Sequence, residues 1–445
     1  MTPQPLAAGP LILAAIAGAE PAHGETTPAD ARGEPPAQTV VATEGRAGRE
    51  PIVIAHRGAS AYRPEHTLAA YALAIDQGAD FIEPDLVPTR DGVLVARHEN
   101  ALSSTTDVAD RVEFAARRTT KTIDGESVTD WFTEDFTVTE LKSLRARERI
   151  PEIRPANTRF DGRFDVPTLA EIIDLVRRAE RETGRPIGIY PEIKHPTYFL
   201  YTGRHVDGAP IRMDLARMLV AELDQHGFTV PHRLYIQCFE PASLVALKRD
   251  ILPAAGLDIP LVQLIGDVSR RFVNAGGGGF SRPFDVLYHV RQGDDLAAIY
   301  GESLAALLVG AGWEADWGAF ASAMGAAAIA DYAEAIGPWK LLIFPRRLLE
   351  RPQDADGDGR AELMQQLTGE QTPLVRLAHA AGLAVHPFTL RPEECFLALN
   401  PDGSPQSFME ELDALLAAGV DGLFCDDPAA ARAALKRRQR SVRAD

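Results

Sequence analysis

From Pro51 onward the chain alternates short, uniformly apolar runs with longer stretches in which apolar residues recur every three or four positions, the pattern of buried strands separated by amphipathic helices. The first run, PIVIAH (51–56), reads as a buried strand. Residues 64–78 follow with Leu68, Tyr71, Ala72 and Ile75 on one helical face, Pro64 in the first turn and Gly78 as the stop. ADFIEPDL (79–86) and GVLVARH (92–98) read as the next strands, linked by the turn signal Arg90-Asp91-Gly92. After a polar excursion over about 99–164, a helix at 167–183 leads into the strand PIGIYPEI (186–193). Helices near 211–226 and 241–249 then alternate with the strands RLYIQCF (233–239) and IPLVQLI (259–265). A second irregular stretch, 266–318, precedes an Ala-rich helix at 319–336 and a strand WKLLIF (339–344). Helix 371–381, strand LAVHPFTL (383–390), helix 405–418, strand VDGLFCD (420–426) and a helix from Pro428 complete the pattern, with 437–445 as a polar tail.

Seven or eight strands alternating with helices, and no glycine-rich dinucleotide fingerprint after the first strand, predict an α/β chain folded as a closed (β/α)8 TIM-type barrel. The two excursions make it somewhat distorted, a single domain over 51–436 with long loop insertions. His56, Glu83, Asp85, Glu192, Gln237 and His386 fall at or near C-terminal strand ends, and His98 follows another strand. That is the end at which a barrel builds its active site.

A length of 445 residues with 45% hydrophobic content is ample for a large core, and a net charge of −17 argues against a nucleic-acid partner. An anionic substrate would have to be met locally, by a metal or a few basic side chains. Within the first 24 residues, the apolar run Leu6 to Ala19 is too short for a stable membrane span but fits a signal-peptide core, with Ala22 and Gly24 marking a cleavage site. No Lys or Arg precedes Leu6, so an unstructured leader is the alternative. Export would place the protein in the periplasm or outside the cell, with 25–50 as a flexible leader. Cys238, Cys395 and Cys425 are far apart and show no disulfide or metal spacing.

Glu83 and Asp85 are two residues apart on one strand and therefore share a face. Ionised groups leave water only when paired, hydrogen-bonded or bound to metal. The pair either holds a hard divalent ion such as Ca²⁺ or Mg²⁺ or salt-bridges to Arg90 and Arg97 at a wet strand end. Glu192 offers a third carboxylate, unless it simply pairs with Lys194 two residues on. At the mouth of the first strand, His56 can exchange a proton and Arg57 can fork two donors onto a phosphoryl group, while Gly58 allows a sharp turn; His98 is a second proton-transfer group. Asp354, Asp356 and Asp358, with Gly359, match the first positions of a calcium loop, but Gln365 replaces the usual terminal Glu. This stretch is either a second, structural Ca²⁺ site or an exposed acidic turn.

The segment HRGASAYRPEHTLAAYALAIDQGADFIEPDLVPTRDGVLVARHEN resembles the signature of the glycerophosphodiester phosphodiesterase family, which runs HRG, PENT, GAD-x-(I/V)-E-x-D, T-x-DG and H-D. PEIKHP, VHPFTLR and VDGLFCDDP extend the resemblance to about residue 430, and it is strongest to the larger periplasmic bacterial branch. The resemblance implies a metal-dependent barrel that hydrolyses glycerophosphodiesters, glycerophosphocholine among them, to sn-glycerol 3-phosphate and an alcohol. It implies His56 and His98 as the acid/base pair, Arg57 and Lys194 at the phosphate, and Phe388 against the glycerol. Glu83, Asp85 and Glu192 become ligands of one divalent cation, Ca²⁺ before Mg²⁺, with Glu65 and Gln237 in support. Two departures stand out: His66 replaces the Asn of PENT, and Glu99 replaces the Asp of H-D. Two other kinds of protein compete with this expectation, a lysophospholipase D-like or sphingomyelinase D-like barrel enzyme and a noncatalytic glycerophosphate-binding protein. Oligomeric state is not legible.

Overall fold

Ile52–His56 forms the first barrel strand, with Gly422–Cys425 on one side and Phe81–Glu83 on the other, all parallel. The computed structural model describes residues 50–442 apart from 313–315, 356 and 358, so the signal-peptide and leader regions lie outside the described residues. ADFIEPDL is not one strand but two, Phe81–Glu83 and Asp85–Pro88, interrupted at Pro84. The facing strand breaks in the same way, into Gly188–Ile189 and Glu192–Ile193 around Pro191. Proline cannot donate to a ladder, so two facing prolines divide the sheet without separating its halves. Tyr190 N–H still donates to Ile82 O at 2.9 Å, and Glu192 N–H to Pro84 O at 2.9 Å.

Beyond the break the parallel order continues through Ile236–Cys238, Leu261–Ile265, Ala335–Pro338 and Ala384–Val385. Asp421 N–H to Val385 O (2.8 Å) and Phe424 N–H to Pro387 O (3.1 Å) return the ring to Gly422–Cys425. The eight-stranded (β/α)8 expectation therefore holds, with irregular closure at the two breaks. Gly422 sits at the closing seam because a Cβ there would lie 2.8 Å from the His386 ring and 2.8 Å from Ile52.

Three assignments change. GVLVARH supplies Leu94–Ala96, which runs antiparallel to Asp85–Pro88 and is the arm of a hairpin rather than a barrel strand. The sixth barrel strand is Ala335–Pro338, not WKLLIF, whose Lys340–Leu342 is a turn of 3₁₀ helix. The helix expected over 319–336 is two short ones, Trp317–Phe320 and Ala323–Ile329, the second capped by Ser322. For WKLLIF, a short apolar run carries no periodicity to separate strand from helix. The terminal helix Pro428–Val442 also runs into the stretch read as a polar tail.

Both excursions pack onto the barrel. Phe132, Phe136, Leu141 and Leu144 from the first, and Leu304, Leu308 and Trp317 from the second, join one core with Val53, Ile82 and Leu423. The acidic calcium-like loop is the tip of an antiparallel ribbon, Arg346–Gln353 with Leu363–Leu367, so strands and not helices flank it. The Asp354 carboxylate accepts the Gly357 and Gly359 N–H groups at 2.7 and 3.0 Å; Asp356 and Asp358 lie outside the described residues.

If Gly422 closes the barrel as described, Gly422→Ala lowers unfolding stability by about 1–3 kcal/mol through overpacking. Gly310→Ala, at a helical position with nothing within 4 Å of the added Cβ, leaves it unchanged or raises it by up to about 1 kcal/mol. Urea midpoints of the two variants check the contrast.

Candidate metal and phosphate site

Strand register sets polar residues side by side at the C-terminal end of the barrel. His56 pairs with Glu83, Asp85 with Glu192, and Glu192 with Gln237. The break at Pro84 lies between Glu83 and Asp85, yet both remain on the inner face, as their spacing predicts. One carboxylate oxygen from each of Glu83, Asp85 and Glu192 lies within 4.8 Å of the other two, and all three side chains are buried.

Fixed donors hold each acid. Arg57 takes the left-handed conformation (φ 59°), uncommon for a side chain of its size, and aims its main-chain N–H at Glu83 Oε2, 2.9 Å away. Gly58 completes that turn at φ 87°, where a Cβ would lie 2.7 Å from the Ala70 carbonyl carbon. Glu83 Oε1 accepts the Gln237 amide at 3.1 Å. Asp85 Oδ2 meets His66 Nε2 at 2.8 Å and Arg57 Nε at 3.3 Å, while Lys194 Nζ stands 3.2 Å from Oδ1 and 2.5 Å from Glu192 Oε1. Because the carboxylate must accept from Nε2, His66 Nδ1 accepts a hydrogen bond from the Tyr71 hydroxyl, at 2.8 Å. His66, the departure from PENT, is thus a buried brace for Asp85.

Charge in this layer is unbalanced. Burial, then repulsion from Asp85 and Glu192, raises the Glu83 carboxyl well above its ordinary range. Burial and Asp85 likewise push Glu192 up to about 8, against the pull of Lys194. Burial also acts to raise Asp85, but Lys194 and the His66 hydrogen bond hold it well below the usual value. Asp85 Oδ1, though buried, receives no hydrogen bond of good geometry and is met by the Lys194 ammonium alone, which Glu192 shares. Three buried oxygen donors with surplus negative charge, sharing a single lysine, fit a hard divalent cation, which would sit among Glu83, Asp85 and Glu192. The alternative salt bridges do not form: Arg90 pairs with Asp207, and the Arg97 guanidinium donates to Ala101 O. Glu192 does pair with Lys194, as its local reading expects, while also facing the other two acids.

Both candidate proton-transfer residues are anchored through Nδ1. His56 Nδ1 lies 2.7 Å from Asp426 Oδ1, and His98 Nδ1 bonds to Glu99 Oε1. Burial, then the charge of Arg57, lowers His56 to about 4 although Asp426 opposes the shift. His98 keeps 32% of its side chain exposed, yet loss of solvent at its ring and the charges of Arg57 and Lys194 lower it to about 3. Glu65 joins the layer through Arg57 Nη1 at 3.1 Å. Phe388 stands apart from this hydrogen-bonded layer, its ring against Phe239 at 5.8 Å.

Three residues escaped the sequence reading. Asp426, at the end of the last barrel strand, orients His56 and is itself gripped by Arg154 at 2.5 Å and Arg391 at 3.2 Å. Its strand-end position was the available signal. Arg149, from the first excursion, bridges Glu65 at 2.6 Å and Glu99 at 2.8 Å. The extra methylene of Glu99 lets one carboxylate serve both Arg149 and His98. Arg154 and Arg149 carry no local sequence signal because their partners are far away along the chain.

The sequence profile of the Glycerophosphoryl diester phosphodiesterase family matches residues 56–275 and 342–430, more than half of the chain. A glycerophosphodiester phosphodiesterase of Arabidopsis thaliana is 32% identical over 386 residues, covering 84% of this chain and 83% of that protein. Another from Haemophilus influenzae is 29% identical over 391 residues, covering 85% and 87%. With the acids, bases and cations of the family's pattern gathered at one end of an eight-stranded barrel, the chain belongs to the glycerophosphoryl diester phosphodiesterase family.

Proposed function

We propose that this chain hydrolyses glycerophosphodiesters such as glycerophosphocholine to sn-glycerol 3-phosphate and a free alcohol, with His56 and His98 moving the protons. The carrying observation is the three-carboxylate cluster flanked by two imidazoles that are both tied through Nδ1. A carboxylate partner keeps the proton of a neutral ring on Nδ1 and leaves the Nε2 lone pair for substrate. The depressed basicity of both rings keeps them neutral near pH 7, so one can accept a proton from the nucleophile, whether water or a neighbouring substrate hydroxyl whose cyclic phosphate water then opens. The other must receive a proton before it can serve the departing alkoxide, and the bound phosphodiester anion favours that charged form. Arg57 and Lys194 place donors beside the acids, where they orient the nonbridging phosphate oxygens. A divalent ion held by Glu83, Asp85 and Glu192 would supply Lewis-acid charge stabilisation at the phosphate.

For the ion itself we favour Ca²⁺ over Mg²⁺, because a buried all-oxygen set with unequal anchoring suits the more permissive coordination of calcium. The apolar run Leu6 to Ala19 supports export to the periplasm or beyond, as in the periplasmic branch of the family. Among the described residues no helix is long and apolar enough to cross a membrane. Export predicts a mature N-terminus just after Gly24 in protein recovered from a secreting host; an intact Met1 there would contradict it.

His56→Ala should lower turnover of glycerophosphocholine by about 10²–10⁴-fold while leaving the bound metal in place. Asp85→Asn should weaken metal affinity by at least about tenfold and activity with it. Steady-state rates alongside metal content after dialysis separate the two roles. Metal-depleted enzyme should release neither choline nor glycerol 3-phosphate from glycerophosphocholine and should regain activity best with Ca²⁺, when Ca²⁺, Mg²⁺ and Zn²⁺ are returned separately. Full activity without any divalent ion would sink the reading.

A further inference from the structure

Beside the charged layer stands a continuous wall of aromatic rings that the chemistry above does not use. Phe239 follows the fourth barrel strand, Trp339 the sixth and Phe388 the seventh, while Phe272 and Phe280 come from the second excursion. Ring centroids are 5.8 Å apart for Phe239–Phe388, 6.0 Å for Phe239–Phe280, 5.4 Å for Phe280–Trp339 and 6.1 Å for Phe272–Trp339. All five rings are half-buried, unlike the fully enclosed aromatic side chains of the core such as Phe132 and Phe199. The wall abuts the phosphate side of the site, for Lys194 Nζ lies 5.9 Å from the centroid of Phe239.

A buried carboxylate is tied to the wall through the backbone of Phe280. Asp267 follows the fifth strand, is only 3% exposed, and donates its main-chain N–H to Phe280 O at 3.0 Å. The hydrogen bonds its side chain accepts come from neutral groups: the Ser269 N–H (3.0 Å) and hydroxyl (2.8 Å), the Ser281 hydroxyl (2.8 Å) and the Arg271 N–H (3.3 Å). Phe280 and Trp339 both lie within residues 276–341, between the two segments that match the family profile.

We propose that this wall is the alcohol-side subsite, which assigns Phe388 to the head group rather than to the glycerol, and that it selects a quaternary ammonium head group, making choline diesters the preferred substrates. The inference rests on the glycerophosphodiesterase reading. Ring faces carry negative charge density that attracts a cation unable to form hydrogen bonds, and a buried carboxylate nearby adds to the field. A polyol such as glycerol would lose water against the same rings without replacing its hydrogen bonds. An acyl chain would gain little from aromatic over aliphatic side chains.

The test compares kcat/KM for glycerophosphocholine, glycerophosphoglycerol and lysophosphatidylcholine, with the divalent ion saturating, and follows the binding of tetramethylammonium by tryptophan fluorescence. Wild type should prefer glycerophosphocholine over glycerophosphoglycerol by about tenfold. Phe280→Leu, which keeps apolar bulk but removes the ring face, should bring that ratio close to one, and Asp267→Asn should lower it. Tetramethylammonium should change the fluorescence of wild type but not of Trp339→Phe. Equal preference for the two diesters or an unchanged ratio in Phe280→Leu would overturn the proposal, while faster turnover of lysophosphatidylcholine, which carries the same head group, would overturn the glycerophosphodiesterase reading on which it rests. If no diester is hydrolysed the functional reading fails, and tetramethylammonium binding then decides the wall by itself: a Trp339-dependent signal upholds it and no signal rejects it.

Discussion

Three carboxylates withdrawn from water, each with an oxygen within 4.8 Å of the others, repel one another strongly unless a cation stands among them. The upper layer of this barrel is arranged around that constraint. Arg57 and Lys194 neutralise part of the charge, the Arg57 N–H and the Gln237 amide fix Glu83, and His66 fixes Asp85. What they leave over is a raised proton affinity at Glu83 and Glu192. Protons or a divalent ion can meet that surplus, and only the ion would also bind a phosphate.

Backbone, not side chains, creates the cluster. Pro84 and Pro191 lie in neighbouring strands just where the ladder would otherwise be continuous, and the sheet divides there into two ladders. Main-chain bonds on either side keep the strands in register, so Asp85 faces Glu192 directly. The left-handed turn at Arg57 and Gly58 then folds the end of the first strand over Glu83. Strain at that turn and desolvation of the acids are the costs of a site built before its ligand arrives.

Much of this was legible in the amino-acid order. Alternating apolar runs and helical periodicity predict the barrel, and i, i+2 spacing correctly puts Glu83 and Asp85 on one face. Strand-end position alone picks out His56, Glu192 and Gln237. Short segments were harder, because AIGP at 335–338 has neither length nor alternation, and WKLLIF beside it has the stronger apolar signal. Leu94–Ala96 is a true strand whose antiparallel direction is set by the tight turn at Arg90-Asp91-Gly92, not by its composition. Arg149 and Arg154 act across 50 to 272 residues of sequence, and no local pattern records such a pairing, whereas Asp426 lies at a strand end that could have been read. The aromatic wall hides for the same reason, since its rings come from three strand ends and an excursion.

The central claim is that one divalent ion sits among Glu83, Asp85 and Glu192, and anomalous diffraction from crystals soaked in Mn²⁺ tests it most directly. The account predicts a strong peak bounded by those three carboxylates, lost in Asp85→Asn. A soaked wild-type crystal with no peak among them, whether or not manganese binds at the Asp354 loop, would contradict it.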